Sequence, residues 1–235
     1  SHHFARLNPV TVRGGSLIVF EGIEGAGKTT QLTRLHTRLA AAGVPSAPYR
    51  EPGGTLLGDE IRRILLDPDR HITARAEALL FMASRAELVE RCLRPKLAAG
   101  CVVLLDRFTL STYAYQVAGR GLDEREVRAA NVTATAGLVP TLTLLLRTSP
   151  DVGAERARLR GAPDRMESSG VAFHSRVAGA FAAFEHSAWQ REHPECGPLL
   201  AIDADGPADD VEQRVLALLA EALPELRGAL AAATR

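Results

Sequence analysis

The sequence predicts an α/β domain in which a parallel sheet of about five strands is flanked by helices. Short apolar stretches at residues 17–20, 101–105 and 142–146 are typical of buried strands. Segments with apolar residues at helical spacing separate them, and this alternation favours parallel strands joined by helices. A glycine-rich stretch between the first strand and the first helix indicates the same fold class, because strand, phosphate-binding loop and helix form a recurrent unit of such domains.

The first half of the chain gives a signal for each element. The first strand covers roughly residues 16–21, and the helix after the loop runs to about residue 42, because Gly43 is a helix-terminating signal. We then expect a short strand, a turn-rich loop, a helix with Ile61, Ile64 and Leu65, and a long helix bent at Pro95. The last three of these lie at 51–55, around 61–65 and at about 73–99, and the core stripe of the long helix is Leu79, Met82, Ala86, Val89 and Leu93.

The second half continues the alternation. A strand at 101–105 is followed by a helix at about 110–117, and another helix begins near Asp123, since acidic residues suit a helix N-terminus. A buried strand at 142–146 precedes two arginine-containing helical stretches. The expected last elements are a strand at 199–202 and a helix at about 208–222.

A length of 235 residues allows one large α/β domain or two small ones. The first 15 residues have no periodic pattern, and we interpret them as an extension or tag remnant. Residues 16–223 are expected to form a single domain with a lid at about 153–168. Residues 224–235 would be a C-terminal tail, either a short helix or frayed.

Composition excludes several classes of function. The formal net charge is zero, which argues against a general nucleic-acid or membrane-surface binder. The longest apolar runs have the length of strands, so no transmembrane helix is expected. Three cysteines without a C-x-x-C pair suit a reducing compartment such as the cytoplasm.

The central motif is a phosphate-binding loop, G-x-x-x-x-G-K-T. Its glycines allow consecutive backbone N–H groups to point inward and form an anion nest with the helix N-terminus. The lysine would reach terminal phosphates, and the threonine hydroxyl would hold Mg²⁺. The alternative, a glycine-rich turn with a chance Lys-Thr pair, is disfavoured because strand and helix flank the motif. The motif comprises Gly22, Ile23, Glu24, Gly25, Ala26, Gly27, Lys28 and Thr29.

Asp106 and Arg107 lie at the carboxyl end of an apolar strand, where ligands bind in open α/β sheets. An aspartate there suits the Mg²⁺-organising role in phosphate-loop enzymes, and the arginine would grip a phosphate with two hydrogen bonds. The alternative is a helix-capping or salt-bridged aspartate.

Two further groups suit recognition of a base. Phe81 and Arg85 are four residues apart on one helix face, where an aromatic ring could stack on a base beside a phosphate clamp; the alternative is a core phenylalanine and a surface arginine. Hydroxyl and amide groups that could read a base edge follow Arg107, although they could equally form an ordinary polar helix face. These are Ser111, Thr112, Tyr115 and Gln116.

Four arginines crowd the expected lid, namely Arg156, Arg158, Arg160 and Arg165. Phosphoryl transfer needs positive charge on the transferring group, which a mobile arginine often supplies. Gly161 and Pro163 punctuate the segment, so it could close over the site. The alternative is a solvated charged helix paired with Glu155 and Asp164.

Together these pieces resemble the thymidylate kinase family of nucleoside-monophosphate kinases, over residues 16–222. The resemblance is carried, in the family's order, by four stretches: residues 20–30, 50–55, 106–116 and 156–167. The phosphate loop has no basic residue among Ile23, Glu24 and Ala26, so the chain resembles the bacterial type, with catalytic arginines in the lid. Phe108 is a departure, because the family often has Tyr or His there.

The resemblance implies a role for each motif residue. Residues 22–29 would bind the ATP phosphates, with Glu24 near the reacting phosphates. Phe81 would stack on thymine, and Arg85 would contact the base or the acceptor phosphate. The implied catalytic set is Lys28, Glu24, Asp106, Arg107, Arg156, Arg158 and Arg160. The implied dTMP-binding set is Arg50, Glu51, Pro52, Phe81, Arg85, Arg107, Ser111, Thr112, Tyr115 and Gln116, with Thr29 and Asp106 as metal ligands.

The implied activity is transfer of the γ-phosphoryl group of ATP to dTMP, with Mg²⁺ as cofactor, in a cytoplasmic homodimer that needs no nucleic acid or membrane. Kinases of dUMP, dCMP or AMP remain alternatives. A nucleotide-binding module without phosphotransfer is a further alternative. A GTP-dependent switch is disfavoured, because the chain has no Asn-Lys-x-Asp run.

Overall fold

A computed structural model describes residues 15–159, 161 and 163–232. The expected extension therefore lies outside the described residues, apart from Gly15, and so do Arg160 and the last three residues of the expected tail. The sheet has five parallel strands in the order β2-β3-β1-β4-β5, which confirms the expected fold class. The strands are β1 (Ser16–Glu21), β2 (Ser46–Arg50), β3 (Val102–Asp106), β4 (Leu142–Arg147) and β5 (Leu199–Asp203).

Helices cover both faces of this sheet. The α-helices are α1 (Lys28–Ala41), α2 (Leu56–Leu66), α3 (Ala74–Leu88), α4 (Arg94–Ala98), α5 (Thr109–Thr112), α6 (Glu124–Thr135), α7 (Pro150–Arg158), α8 (Val171–Phe184), α9 (Ser187–Glu192), α10 (Ala208–Ala222) and α11 (Arg227–Ala232). Two π-helical segments occupy Val89–Leu93 and Tyr113–Gly119, and two short 3₁₀ turns occupy Pro194–Cys196 and Pro224–Leu226. None of the helices in the described part of the chain is long and apolar enough to cross a bilayer.

Strand β1 lies at the centre of the sheet, and its register determines where the site forms. Phe20 pairs with Asp106 of β3 on one side and with Leu144 of β4 on the other. Because the strands are parallel, their carboxyl ends meet at one edge of the sheet. The loop after β1 and the Asp106-Arg107 pair after β3 are therefore neighbours.

Side chains of β1 alternate between the two faces, as expected for a strand buried on both sides. Ile18 and Phe20 belong to a core cluster with residues of α1, α10 and α11. Leu17 and Val19 pack on the other face with residues of α3 and α4 and of the π-helical segment between them. A further cluster, which includes Phe173, Phe181 and Phe184 of α8, continues this second layer over β4 and β5.

The long helix expected at about 73–99 is divided. It runs as α3, continues through the π-helical turn Val89–Leu93 and ends as α4, with Pro95 close to the start of α4. Pro95 is tolerated there because the first turn of a helix does not need its N–H.

The expected core stripe of the long helix was wrong at Leu79, whose exposed fraction is 63 %. The inward face of α3 also carries Glu77, Ser84 and Arg85, all of them buried. Met82, Val89 and Leu93 of the expected stripe are buried, so the apolar pattern predicted the inward side of the helix except at Leu79.

The second helical stretch also differs in form. Only Thr109–Thr112 is α-helical, and Tyr113–Gly119 is π-helical, with a wider turn than the expected α-helix at 110–117. The start of α6 matches the expectation: the Asp123 carboxylate caps it by accepting from the backbone N–H groups of Arg125 at 3.0 Å and Glu126 at 3.2 Å.

The last described helix, α11, and the 3₁₀ turn before it pack into the main core. Leu226 and Leu230 are 6 % and 4 % exposed and contribute to the cluster that contains α1 and α10. Apolar spacing in the helix α11 thus serves the core, although the sequence there is rich in alanine.

We predict that Leu230→Ala lowers the free energy of unfolding by about 2–4 kcal/mol, because it removes a buried side chain and leaves a cavity. Leu56→Ala is the control: Leu56 is 90 % exposed, and its truncation should change stability by less than about 0.5 kcal/mol. Denaturant unfolding of both variants measures the difference, and equal losses would show that α11 does not belong to the cooperative core.

Candidate active site

The phosphate loop approaches two other backbones closely, and this explains its glycines. A Cβ on Gly22 would lie 2.5 Å from the carbonyl oxygen of Leu146, and one on Gly25 would lie 2.0 Å from that of Gly153. Both glycines also have positive φ, 139° and 74°. The contact with Gly153 brings the start of the expected lid, in α7, against the loop.

Lys28 is folded over the loop that precedes it. Its Nζ donates to the carbonyl oxygens of Gly22 at 3.1 Å and Ile23 at 2.8 Å, and the residue is 6 % exposed. Burial, reinforced by the nearby charge of Arg107, lowers the pKa of Lys28 to about 8, although Glu24 partly opposes the shift. The lysine is therefore held at the loop mouth with a weakened preference for its charged form.

Thr29 and Asp106 meet at the same edge. The Thr29 hydroxyl donates to Asp106 Oδ2 at 2.5 Å, which joins the start of α1 to the end of β3. A hydroxyl and a carboxylate are hard oxygen donors, the type that Mg²⁺ takes together with waters and substrate phosphates. The pair thus fits the metal role expected for both residues.

Arg107 connects the loop to the opposite wall. Its guanidinium donates to the Gly22 carbonyl oxygen at 3.2 Å, to Ser111 Oγ at 3.0 Å and to Glu24 Oε2 at 2.9 Å. It also lies 5.0 Å from the ring centroid of Tyr115. The backbone of Arg107 has φ 71°, a left-handed conformation that costs energy for a non-glycine residue and is found mostly where the surrounding structure enforces it.

Glu21 was not identified from the sequence. It is fully buried and accepts from the backbone N–H groups of Phe108 at 2.8 Å and Ser111 at 3.0 Å and from Ser111 Oγ at 2.6 Å. Burial raises its pKa, while Arg107 and these hydrogen bonds oppose the shift. Its signal in the sequence was a lone carboxylate at the end of an apolar strand. Glu21 fixes the turn after β3 and so the position of Arg107.

Arg85 is not a surface arginine. It is 2 % exposed, and its five N–H groups point at protein acceptors. Nε and Nη2 donate to Glu51 Oε2 at 2.8 and 2.5 Å, Nη2 also donates to the Phe108 carbonyl oxygen at 2.9 Å, and Nη1 donates to Thr112 Oγ1 at 2.8 Å and to Asn131 Oδ1. Burial raises the pKa of Glu51, and the charge of Arg85 opposes this. Arg85 therefore builds the wall of the cleft, and its direct contact with a ligand stays a prediction.

One cleft of about 600 Å³ brings most of the expected residues together. The expected residues that line it are Glu24, Gly25, Gly27, Lys28, Thr29, Arg50, Glu51, Pro52, Phe81, Arg85, Asp106, Arg107, Ser111, Thr112, Tyr115, Gln116 and Arg156. Gly22, Ile23, Ala26 and Arg158 are not among its lining residues, although Ala26 borders a neighbouring cavity of about 180 Å³.

The cleft also has lining residues outside the predicted site, namely Thr30, Arg62, Leu66, Asp164, Met166, Glu167 and His174. Arg62 donates to the Pro52 carbonyl oxygen at 3.0 Å, and burial together with the neighbouring Arg50 lowers its pKa. Nothing in its amphipathic helix distinguishes it from a solvated arginine. Asp164 and Glu167 lie inside the expected lid, but the sequence predicted no role in the site for either residue.

The three lid arginines that the structure describes point in three directions. Arg156 lines the cleft and donates to the carbonyl oxygens of Ala204 at 3.1 Å and Gly206 at 3.0 Å. Arg158 is paired with Glu155 at 2.9 Å and its side chain is 73 % exposed, as in the alternative of a solvated charged helix. Arg165 is 11 % exposed and turned toward α3.

Four features define the class of the protein: the sheet order, the phosphate loop after the central strand, the carboxylate at the end of the adjacent strand and the arginine-bearing segment beside the loop. Together they form the architecture of phosphate-loop nucleoside-monophosphate kinases.

Comparison with known proteins narrows the class. A family model described as thymidylate kinase matches residues 20–193. The thymidylate kinase of Deinococcus radiodurans is 46 % identical over 207 residues, covering 88 % of this chain and 97 % of that protein. Those of Chlorobium chlorochromatii and Pseudomonas fluorescens are 41 % and 43 % identical, covering 86 % and 91 % of this chain and 92 % and 99 % of their own lengths. The chain belongs to the thymidylate kinase family, as its resemblance predicted.

We predict that affinity for ATP falls by about tenfold between about pH 7 and about pH 9, since the free protein loses the Lys28 proton with a pKa of about 8. The sign follows because a bound polyphosphate favours the ammonium form, so the affinity is greatest below that pKa and is lost as the pH rises through it. Titration calorimetry across this range measures the slope. Lys28→Arg keeps its charge and should bind with little pH dependence; an equal slope in that variant would assign the titration to another group.

Proposed function

We propose that this chain transfers the γ-phosphoryl group of ATP to dTMP, giving dTDP and ADP for dTTP synthesis. The observation that carries the proposal is the continuous cleft of about 600 Å³, which runs from a phosphate loop to a pocket with an aromatic ring, hydroxyls and an amide, in a member of the thymidylate kinase family. Such a cleft has room for a donor phosphate chain and an acceptor nucleotide.

On the donor side, residues 22–29 would surround the ATP phosphates. The backbone N–H groups of the loop and the N-terminus of α1 favour negative charge there. Lys28 would exchange its present carbonyl acceptors for phosphate oxygens, which restores the stability of its charged form.

We assign the metal site to Thr29 and Asp106, whose oxygens already meet at the loop mouth. When bound there, Mg²⁺ supplies charge neutralisation at the phosphates. Asp106 is held by the β3 register, so its carboxylate is positioned before any ligand enters.

On the acceptor side, Arg107 would hold the dTMP phosphate, with Arg50 lining the same part of the cleft. A guanidinium suits this role because it can form two parallel hydrogen bonds to a phosphate. Its present partner Glu24 belongs to the phosphate loop, where the resemblance implies a position near the reacting phosphates.

The base would lie against Phe81, with Thr112 and Gln116 at its edge and Tyr115 near the sugar. All four residues line the cleft, and Thr112 is held in place by Arg85. Ser111, Glu51 and Pro52 complete this side of the pocket. An aromatic face with few, fixed polar groups is the usual arrangement for a nucleoside site.

The acceptor phosphate oxygen is itself a good nucleophile, so a strong general base is not needed. Rate enhancement would come from alignment of the two substrates and from positive charge around the transferring group. Closure of the segment around residues 153–168 would exclude water and limit hydrolysis of ATP.

We further propose a cytoplasmic homodimer that acts without nucleic acid or membrane. The three free cysteines suit a reducing compartment. Leu79 and Val132, 63 % and 48 % exposed, offer apolar contact area on α3 and α6. Sedimentation equilibrium tests the dimer.

In a coupled assay of ADP formation with ATP and Mg²⁺, we expect dTMP to give the highest kcat/KM among dTMP, dUMP, dCMP and AMP. Chelation of Mg²⁺ should abolish the activity. A clear preference for another monophosphate would overturn the base assignments but leave the phosphate chemistry intact. ATP binding without any product would replace the proposal with a nucleotide-binding module.

For the lid, we predict that Arg156→Ala lowers kcat/KM by about 100-fold or more, because it removes positive charge from the cleft. Arg158→Ala should lower it far less, since Arg158 faces solvent beside Glu155. Steady-state kinetics of the two variants decide between them. Equal losses would show that Arg158 enters the cleft during turnover.

A further inference from the structure

Glu77 is a fully buried carboxylate that none of the roles above explains. It lies in the first turn of α3, one turn before Phe81. Burying a carboxylate is costly unless its oxygens are paired and hydrogen-bonded. We therefore expect a buried carboxylate beside a ligand cleft to fix the position of the groups that pair with it.

Glu77 accepts three hydrogen bonds and forms an ion pair with a second arginine. Oε1 accepts from Gln116 Nε2 at 3.1 Å and from Arg120 Nε at 3.0 Å. Oε2 accepts from Arg120 Nη2 at 3.0 Å and lies 2.7 Å from Arg165 Nη2. These four interactions fill the usual acceptor sites of a carboxylate. Glu77 is thereby surrounded by two guanidinium groups and one amide.

The two arginines are themselves fixed. Arg120 donates to Ser169 Oγ at 3.0 Å and lies over the ring of Phe173, 4.3 Å from its centroid. Arg165 donates to the Leu65 carbonyl oxygen at 2.7 Å. Because these partners come from the segment after the lid and from the end of α2, the carboxylate has no freedom to turn away from Gln116.

The consequence concerns the orientation of the Gln116 amide. A carboxylate only accepts hydrogen bonds, so the NH₂ group of Gln116 must face Glu77. The amide oxygen, Oε1, is then the atom that Gln116 offers to a ligand. Gln116 is 2 % exposed and lines the cleft, so little of its amide is accessible to solvent.

We infer that Glu77 is a positioning residue: it holds Gln116 as a hydrogen-bond acceptor, so that the site selects acceptor bases with a ring N–H over bases with a bare ring nitrogen. The inference rests on the proposed function. Thymine and uracil carry an N–H at N3, whereas cytosine has an acceptor there. If cytosine entered the site, its N3 acceptor would face the Gln116 oxygen, and both buried acceptors would lack a hydrogen-bond donor. Hydrogen-bonding sites discriminate strongly against ligands that leave buried polar groups unpaired in this way.

The test is a comparison of Glu77→Gln with the wild type on dTMP, dUMP and dCMP at saturating ATP. The neutral amide can present either its oxygen or its NH₂ group, so Gln116 loses its fixed orientation. We expect kcat/KM for dTMP and dUMP to fall together by about tenfold or more, mainly through KM, while that for dCMP stays constant or rises. A loss by the same factor on all three monophosphates would overturn the inference, because it is what a purely structural role predicts.

Glu212→Gln is the matched control. Glu212 also pairs with two arginines, Arg34 at 2.7 Å and Arg38 at 3.0 Å, but it joins α10 to α1 away from the base pocket. Its substitution should lower the melting temperature without changing the ratio of kcat/KM between dTMP and dCMP. A change in that ratio as large as that of Glu77→Gln would also count against the inference.

A double-variant cycle tests whether Glu77 acts through Gln116. In a Gln116→Met background, adding Glu77→Gln should leave the dTMP to dCMP ratio unchanged, since no amide remains to be oriented. A further drop in the ratio contradicts the inference. If Glu77→Gln does not fold, Glu77→Asp takes its place: it keeps the charge for both arginines but draws its oxygens back from Gln116, and the same selective loss is expected.

Failure of the proposed function gives a different result. It appears in the wild type, as a preference for dCMP or AMP or as absence of product, before any variant is compared. Failure of the present inference appears only in the variants, as losses that do not depend on the base.

Discussion

The pairing of β1 with β3 is the constraint on which the site depends. It sets Phe20 opposite Asp106, and so brings the phosphate loop and the Asp106-Arg107 turn to the same edge of the sheet. The hydrogen bond between Thr29 and Asp106 is possible only in this register. A slip by one residue would turn the side chains of the strand to the opposite face and remove the carboxylate from the loop. The donor and metal sites that we propose thus follow from the geometry of two buried strands.

Around this edge the walls of the cleft are made of buried charge. Glu21 holds the turn that carries Arg107, Glu51 holds Arg85, and Glu77 holds Arg120 and Arg165. Pairs of this kind add little to stability compared with apolar packing, because desolvation offsets most of their attraction. Their main effect is on orientation, because a paired guanidinium or carboxylate has one low-energy orientation and fixes the groups that are hydrogen-bonded to it. The side chains of the site are therefore held in position mainly by the buried charged residues that bind them, and less by apolar packing.

The sequence predicted the strands, the phosphate loop and the residues after β3 because these depend on local signals: apolar runs, glycine spacing and a strand end. It failed where a charged residue is buried by distant partners. In the sequence, Glu77 and Arg62 cannot be distinguished from solvent-exposed helix residues. Only the fold brings Gln116 and Arg165 into contact with Glu77, and Pro52 into contact with Arg62. The error at Leu79 has the same origin, since part of the inward face of α3 is taken by Glu77 and Arg85 rather than by Leu79. The π-helical turn at Tyr113–Gly119 was not foreseen either, because its residues suit an α-helix equally well.

The charges at the loop mouth also indicate how the two anionic substrates proposed above would bind to a protein whose formal net charge is zero. Lys28 and Arg107 now face loop carbonyls and Glu24, with Glu21 and Asp106 close by, so the positive charge of the site is largely balanced within the protein. Polyphosphate would take over these cations only if it offers stronger acceptors than the carbonyls, which charged phosphate oxygens do. The remaining negative charge of two substrates then requires additional cations at the moment of transfer. Arg156 lines both the cleft and the neighbouring cavity, and in the function that we propose it would supply one of these cations from the lid side.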